Sequence, residues 1–335
     1  MIKTVLVATD ASNHAKAAVE FGAAVAAKYD AKLALLHVTF GSDLPEDLLA
    51  SAKARFEEAE RSGKRPTHFP EWARGHQIEE LAGRMILDEA KARAEEQGAR
   101  TIETLSDFGS TSERIIQHAH TLPADLIVMG TRGHSELRDF VLGGASHAVL
   151  HYAPCTCVTV HDSGRGTFEG LKRVLVPTDG SKPANGAVAF AGDVAARFGA
   201  ELVLLHVLMR RARLDKVREF VDPDALSEST RQALRAGEHG LPLLSAALSE
   251  DALREIGEQV LETAKRIAGE HGADPVTARL VDGSPAETIL KTAADEGVDM
   301  IAMGTRGLSQ AERLFLGSVS SKVSRAAACT TMIVR

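Results

Sequence analysis

The sequence predicts an α/β fold made twice over, as two tandem domains that each carry a parallel sheet. Three observations predict it: segments that recur at fixed offsets, short apolar runs without polar alternation, and Ala-rich stretches of helical period between those runs. KTVLVATDAS (3–12) recurs as KRVLVPTDGS (172–181), LALLHV (33–38) as LVLLHV (202–207), DLIVMGTRG (125–133) as DMIAMGTRG (299–307), and APCT (153–156) as AACT (327–330). Asp179 follows Asp10 by 169 residues, as His206 follows His37. The pairs Gly109/Gly283, Gly130/Gly304, Gly143/Gly317 and Cys155/Cys329 are all 174 apart. The copies therefore stay in register except for five extra residues after Val207. A repeat of this length is a duplicated domain. We place the first domain at 1–160, a Gly/Ser/Asp-rich linker at 161–170 and the second domain at 171–335.

The elements follow in order. VLVAT, LALLHV, LIVMG and CTCVTV are continuous apolar runs of the length that suits strands buried on both faces of a parallel sheet. Between them, HAKAAVEFGAAVAAKYD and its counterpart carry apolar residues at helical spacing. Strand and helix in alternation imply right-handed crossovers. After the second strand of each copy the chain makes a long polar excursion, Thr39 to Ile78 in the first and Leu208 to Asp251 in the second, which reads as a partly helical surface segment or as a lid or partner-binding element.

Composition narrows the function. Lys and Arg total 39 against 46 Asp and Glu, a formal charge of −7, and aromatics are 4%. That balance excludes a general nucleic-acid binder, which needs a basic face and stacking rings. No apolar run reaches the length that crosses a bilayer, and MIKTVLVATD meets Asp10 too early for a signal peptide. Three cysteines do not make a disulfide framework. We expect a cytoplasmic protein.

At the carboxyl ends of parallel strands, where ligands bind, the second copy assembles Val176–Ser181, His206–Leu208, Met303–Gly307 and Leu314–Val323. Gly304 and Gly307 flank Thr305 and Arg306, nine residues separate Gly307 from Gly317, and Ser318 follows. Such glycines let backbone approach a bulky anion, and amides at a new helix near Ser318, with the Ser318 and Ser320 hydroxyls and Lys322 nearby, suit phosphate. Spacing alone equally allows plain turn glycines and a capping serine. Asp10 and Asp179 suit a ribose hydroxyl or the cap of the next helix. Arg132 and Arg306 suit phosphate, a subunit contact or solvent.

On these residues the chain resembles a tandem universal stress protein. That family's nucleotide pattern is Gly, two residues, Gly, nine residues, Gly and then Ser or Thr; Gly304, Gly307, Gly317 and Ser318 match it in full. The Asp179 turn, GSPAETI (283–289) and the strand after Cys329 match as well. The resemblance covers both halves. It implies five-stranded, parallel, Rossmann-like domains of the adenine-nucleotide alpha-hydrolase type, paired as a pseudo-dimer, with a homodimer also open. It implies ATP with Mg2+ or Mn2+, held by Pro177, Thr178, Asp179, Val207, Met303, Gly304, Thr305, Arg306, Gly307, Gly317, Ser318, Val319 and Ser320. Asp179 and Val207 would face the adenosine. It implies a stress-response regulator that acts through nucleotide-dependent conformation or an unnamed protein partner, with slow hydrolysis at most. An ATP-using hydrolase or transferase and a scaffold without nucleotide are the alternatives.

The first copy departs from the pattern. Asp10, Val38, Gly130, Gly133, Gly143 and Ser146 are present, but Gly144 stands in place of Ser318 and Ala148 in place of Lys322. Loss of one hydroxyl donor to a charged phosphate costs about 1.5–3 kcal/mol, so this site is expected to be the weaker. There is no G-x-x-x-x-G-K-[ST] and no G-x-G-x-x-G after the first strand. We assign no catalytic residue and no protein metal site. Cys155 and Cys157 read as structural thiols, since zinc wants four ligands. His68, His76, His118 and His120 read as surface or capping residues.

Overall fold

The computed structural model describes residues 2–39, 44–62, 71–131, 143–162, 164, 167–208, 217–219, 221–236, 248–305, 307 and 316–335. Arg132, Gly133 and Arg306, named above, lie outside them, as does His68. The chain divides into two compact units between Phe168 and Glu169.

The first unit runs β1 (Thr4–Ala8), α1 (Asn13–Tyr29), β2 (Lys32–Thr39), α2 (Glu46–Arg61), α3 (Glu71–Glu96), β3 (Thr101–Phe108), α4 (Thr111–Thr121), β4 (Leu126–Gly130), α5 (Gly144–Tyr152) and β5 (Thr156–Val160). Its strands pair in the order β3-β2-β1-β4-β5, every pair parallel, with Val7 opposite both Leu35 and Val128. Every residue of β4 and β5 is buried, as apolar runs covered on both faces require. The edge strand β3 instead alternates exposed and half-buried residues.

The second unit repeats the plan. It runs β6 (Arg173–Pro177), α6 (Lys182–Phe198), β7 (Glu201–Val207), a 3-10 turn (Pro223–Ala225), α7 (Glu228–Ala236), α8 (Glu250–Glu270), β8 (Val276–Val281), α9 (Pro285–Asp295), β9 (Met300–Gly304), α10 (Ser318–Ala326) and β10 (Thr330–Val334). The order is β10-β9-β6-β7-β8, again all parallel.

Local chemistry fixes the helix that follows each first strand. Ser12 and Ser181 cap α1 and α6 by accepting from the amides of Ala15 (3.2 Å) and Ala184 (3.4 Å). The same helices end on left-handed residues, Asp30 and Gly199.

The described parts of both excursions are helical and packed. In the first, α2 buries Ala52 and Phe56, with the Arg74 guanidinium 5.7 Å from the Phe56 ring centre. In the second, Val217, Val221, Leu226 and Leu234 bury against Ala252, Leu253 and Ile256 of α8. Gln259 brackets Asp222, accepting from its amide and donating to its carbonyl at 3.0 Å each. Glu255 receives the amide and hydroxyl of Ser227 and the hydroxyl of Thr230, and these donors hold its carboxyl below the usual range. The segment after β5 is held to α1: His14 Nδ1 accepts from the Asp162 amide (2.9 Å), Glu20 from the Phe168 amide (2.8 Å), and the Phe168 ring sits edge-on to Phe21.

Candidate functional site

In each unit the first strand is the switch point of the sheet. From β6 the chain crosses through α6 to β7 on one side, whereas β9, on its other side, is reached from β8 through α9. The carboxyl ends of β6 and β9 therefore flank the crevice where an open parallel sheet takes ligands.

The turn after β6 is fixed atom by atom. The Thr178 amide donates to Leu205 O (2.9 Å), which extends the ladder one residue beyond Pro177. The Thr178 carbonyl accepts from His206 Nδ1 (2.8 Å), and its hydroxyl accepts from the Gly180 amide (3.2 Å). Gly180 sits at φ +80°, where a side chain would be strained. Asp179 Oδ1 accepts from the Ser181 amide (3.1 Å), so Asp179 makes an Asx turn and leaves the helix cap to Ser181.

The glycine loop meets this turn at two points. A methyl on Gly304 would stand 2.6 Å from the Pro183 carbonyl oxygen, so the missing side chain lets the start of α6 lie on the end of β9. A methyl on Gly307 would overlap the Asp179 carboxylate. The loop is then closed by backbone: the Thr305 amide donates to Val334 O (3.1 Å) and the Gly317 amide to Thr305 O (2.7 Å). Ser320 is buried, and its hydroxyl donates to Gly304 O (2.9 Å). That proton staples the loop and is not free for a ligand. Gly317 holds the capping position of α10 in an extended conformation and, among the described residues, no side chain caps the helix. The first amides of α10, at Ser318, Val319 and Ser320, are thus left at a positive helix end. Ser318 itself is exposed. Pro177 ends β6, and Met303 and Val207 are buried at the ends of β9 and β7.

The first unit has the same frame with altered contents. His37 Nδ1 reaches Thr9 O (2.9 Å), Asp10 Oδ1 accepts from the Ser12 amide (3.0 Å), and Ser146 donates to Gly130 O (2.9 Å). The Gly143 amide donates to Thr131 O (2.8 Å), and Val38 lies half-buried near the end of β2. Ala11 adopts φ +66° where the second unit has Gly180. His14 replaces Pro183, and its Nδ1, already accepting from Asp162, lies 3.2 Å from the Thr131 hydroxyl. An imidazole thus lies beside the first residue of this loop, in contact with the chain leaving β5.

His14, His37 and His206 are residues to which sequence reasoning gave no role of their own. The repeat had aligned His37 with His206, but nothing in the pattern said that their rings turn inward. Burial pushes both histidines below the ordinary value of 6.5. Three other titratable candidates are accounted for by a contact or by burial. His118 Nε2 meets Asp107 at 2.9 Å, Cys157 is buried, and burial raises the Cys329 thiol to about 12. Among the described residues no three His, Cys, Asp or Glu side chains form a metal cluster, and no helix is long and apolar enough to cross a membrane.

The comparisons with known proteins fit this frame. The sequence profile of the universal stress protein family matches residues 1–161 and again 170–335. The chain belongs to the universal stress protein family. A universal stress protein of Mycolicibacterium smegmatis is 27% identical over 334 residues, covering 99% of this chain and 96% of its own length. The universal stress protein YxiE of Bacillus subtilis is 33% identical over 165 residues, which is 49% of this chain and 99% of that protein, so half of this chain spans a whole relative. The crystal structure of a universal stress protein from Archaeoglobus fulgidus superposes with a TM-score of 0.58 at 20% identity, covering 99% of this chain and 96% of that one. At that identity the likeness shows the fold alone. A tandem universal stress protein of two parallel α/β units accounts for every described strand.

Proposed function

We propose that this universal stress protein binds ATP in its second unit and works as a stress-response regulator whose occupancy alters conformation or partner choice. The observation that carries the reading is the contact of Asp179 with Gly307 at the switch point, beside a helix whose first amides have no side-chain cap among the described residues. A carboxylate facing a sugar hydroxyl and a positive helix end facing phosphate are the two things a nucleotide needs. Phosphates would meet the amides of Ser318, Val319 and Ser320 and the Ser318 hydroxyl. Adenosine would lie along Pro177, Thr178, Asp179 and Val207. Gly304 would serve by packing, since its space is filled by the backbone of Pro183. A divalent ion such as Mg2+ would neutralise phosphate charge and be held chiefly by phosphate oxygens, with Asp179 nearby. Hydrolysis would be slow, because the donors here are backbone amides and no described side chain is placed to orient an attacking water.

The first unit, with Gly144 at the head of α5 and His14 against Thr131, would bind more weakly. The test is calorimetric titration of nucleotide-stripped protein with MgATP, beside the variant Gly317→Val, whose side chain would obstruct the head of α10. One tight site per chain, lost in the variant, is expected. Absence of heat at millimolar ATP overturns the reading, and two equal sites overturn the asymmetry.

A further inference from the structure

We infer that His206 is a positioning residue: through the Thr178 carbonyl it holds the turn that presents Asp179 to the ligand. The inference rests on the ATP reading only for what the ligand is.

Three observations carry it. The Thr178 carbonyl is the last acceptor before the chain leaves the sheet, and the imidazole Nδ1–H takes it at 2.8 Å. A side chain supplies there the donor that another rung of ladder would supply, so the chain is free to turn at Asp179 while the preceding peptide stays fixed. From that peptide onward every bond belongs to the site: Gly180 amide to the Thr178 hydroxyl, Ser181 amide to Asp179, and Asp179 against Gly307.

The second observation is the room made for the ring. A methyl on Gly257, in the middle of α8, would lie 3.0 Å from His206 Cδ2. Leu280 Cδ1 would lie at 2.6 Å from the same methyl, so the ring and Leu280 together account for a mid-helix glycine, which is otherwise costly.

The third is recurrence. In the first unit His37 Nδ1 meets Thr9 O at 2.9 Å, and a methyl on Gly83 of α3 would lie 3.0 Å from His37 Cδ2. His37 and His206 are 169 apart and Gly83 and Gly257 are 174 apart, the two offsets of the duplication. Histidine and glycine have thus been kept as a pair in both copies, on either side of the five-residue insertion.

Nε2 of His206 is fully buried and has no hydrogen-bonding partner among the described residues, so in what is described the polar contact is made by Nδ1. A leucine would fill the same volume and leave Thr178 O without this donor. Asparagine carries an amide nitrogen at the position of Nδ1 and keeps the donor in a smaller side chain.

The experiment compares wild type, His206→Leu, His206→Asn and, as a control of equal structural cost, His37→Leu. Amide hydrogen exchange is read first, on the stripped protein without ATP. Faster exchange at Gly180 and Ser181 is expected in His206→Leu and near wild-type exchange there in His206→Asn, with both melting temperatures lowered. MgATP titration follows: affinity about tenfold weaker in His206→Leu, within about threefold of wild type in His206→Asn, and unchanged at the tight site in His37→Leu. Unaltered exchange at Gly180 and Ser181 in His206→Leu overturns the inference, as does an asparagine variant no better than the leucine one. If wild type takes up no ATP, the ATP reading fails, and the exchange data alone decide whether His206 holds the turn.

Discussion

The Asp179 carboxylate lies against the α-carbon of Gly307, which ties the turn after β6 to the loop after β9, the two strands whose carboxyl ends flank the crevice. Its other oxygen is occupied by the Ser181 amide, so the carboxylate cannot swing away without breaking the Asx turn. Gly307→Ala should therefore cost about 1 kcal/mol, the worth of that hydrogen bond, and should weaken ATP binding. In an Asp179→Ala background the same substitution should cost almost nothing in stability, since the obstacle is gone, while ATP affinity stays low. Denaturant unfolding of the four proteins gives the coupling. Additive costs would mean that the two residues do not press on one another.

Gly304 and Gly130 answer to a different neighbour. A methyl on either meets helix backbone, the Pro183 carbonyl in one unit and the His14 and Ala15 backbone at 2.8 to 3.0 Å in the other. Backbone does not rotate aside, so each alanine variant should lose about 1–3 kcal/mol through displacement of α6 or α1. Because both units have the same contact, the two losses should be similar whether or not the unit binds nucleotide. A Gly304→Ala protein of unchanged stability but lost ATP affinity would mean that Gly304 meets the nucleotide directly and does not serve by packing alone.

Gly144 has no described atom within 4 Å of an added methyl and stands at the first position of α5. Gly144→Ser thus restores the hydroxyl of Ser318 without a clash. A donor to a charged phosphate is worth about 1.5–3 kcal/mol, so affinity in the first unit should rise roughly 10- to 150-fold, read as a second calorimetric site. No gain would place the weakness elsewhere, with His14 against Thr131 the next residue to change.

The fold was legible because its central strands are covered on both faces, so that VLVAT or LIVMG is apolar throughout. The edge strands were not legible as apolar runs. TIETLSDF of β3 has no fully buried residue, and VTARLV of β8 is half-buried or exposed; both came from the resemblance alone. The glycine spacing singled out Gly307 and Gly317 because a recurring spacing is visible in the sequence itself. It could not show that Gly304 makes way for Pro183, nor that the Ser320 hydroxyl is spent on Gly304 O, because both depend on contacts between distant segments. The histidines were hidden for the same reason: LLHV reads as the end of a strand, and the ring's inward turn depends on a glycine 46 or 51 residues further on.

Those histidines also set the pH dependence of stability. Burial holds His37 and His206 below 6.5 in the folded chain, while the unfolded chain titrates near 6.5. Between the folded values and 6.5 the unfolded state binds more protons, so stability rises with pH across that window. It is fully present above 6.5 and is lost as pH falls below it, at up to about 1.4 kcal/mol per pH unit for each ring. Asp107, Glu201 and Glu255, whose values are lowered from 3.8, 4.5 and 4.5, weaken the fold in the same direction but only at more acid pH. Unfolding free energies at pH 7.5, 6.5 and 5.5 should therefore fall for wild type and fall less for the double variant His37→Asn/His206→Asn, which carries no titrating group at either position. The double variant should be the less stable protein at pH 7.5 and should lose part of that disadvantage by pH 5.5. A slope equal to wild type would mean that the rings take up protons in place, and that the bonds to Thr9 and Thr178 survive the charge.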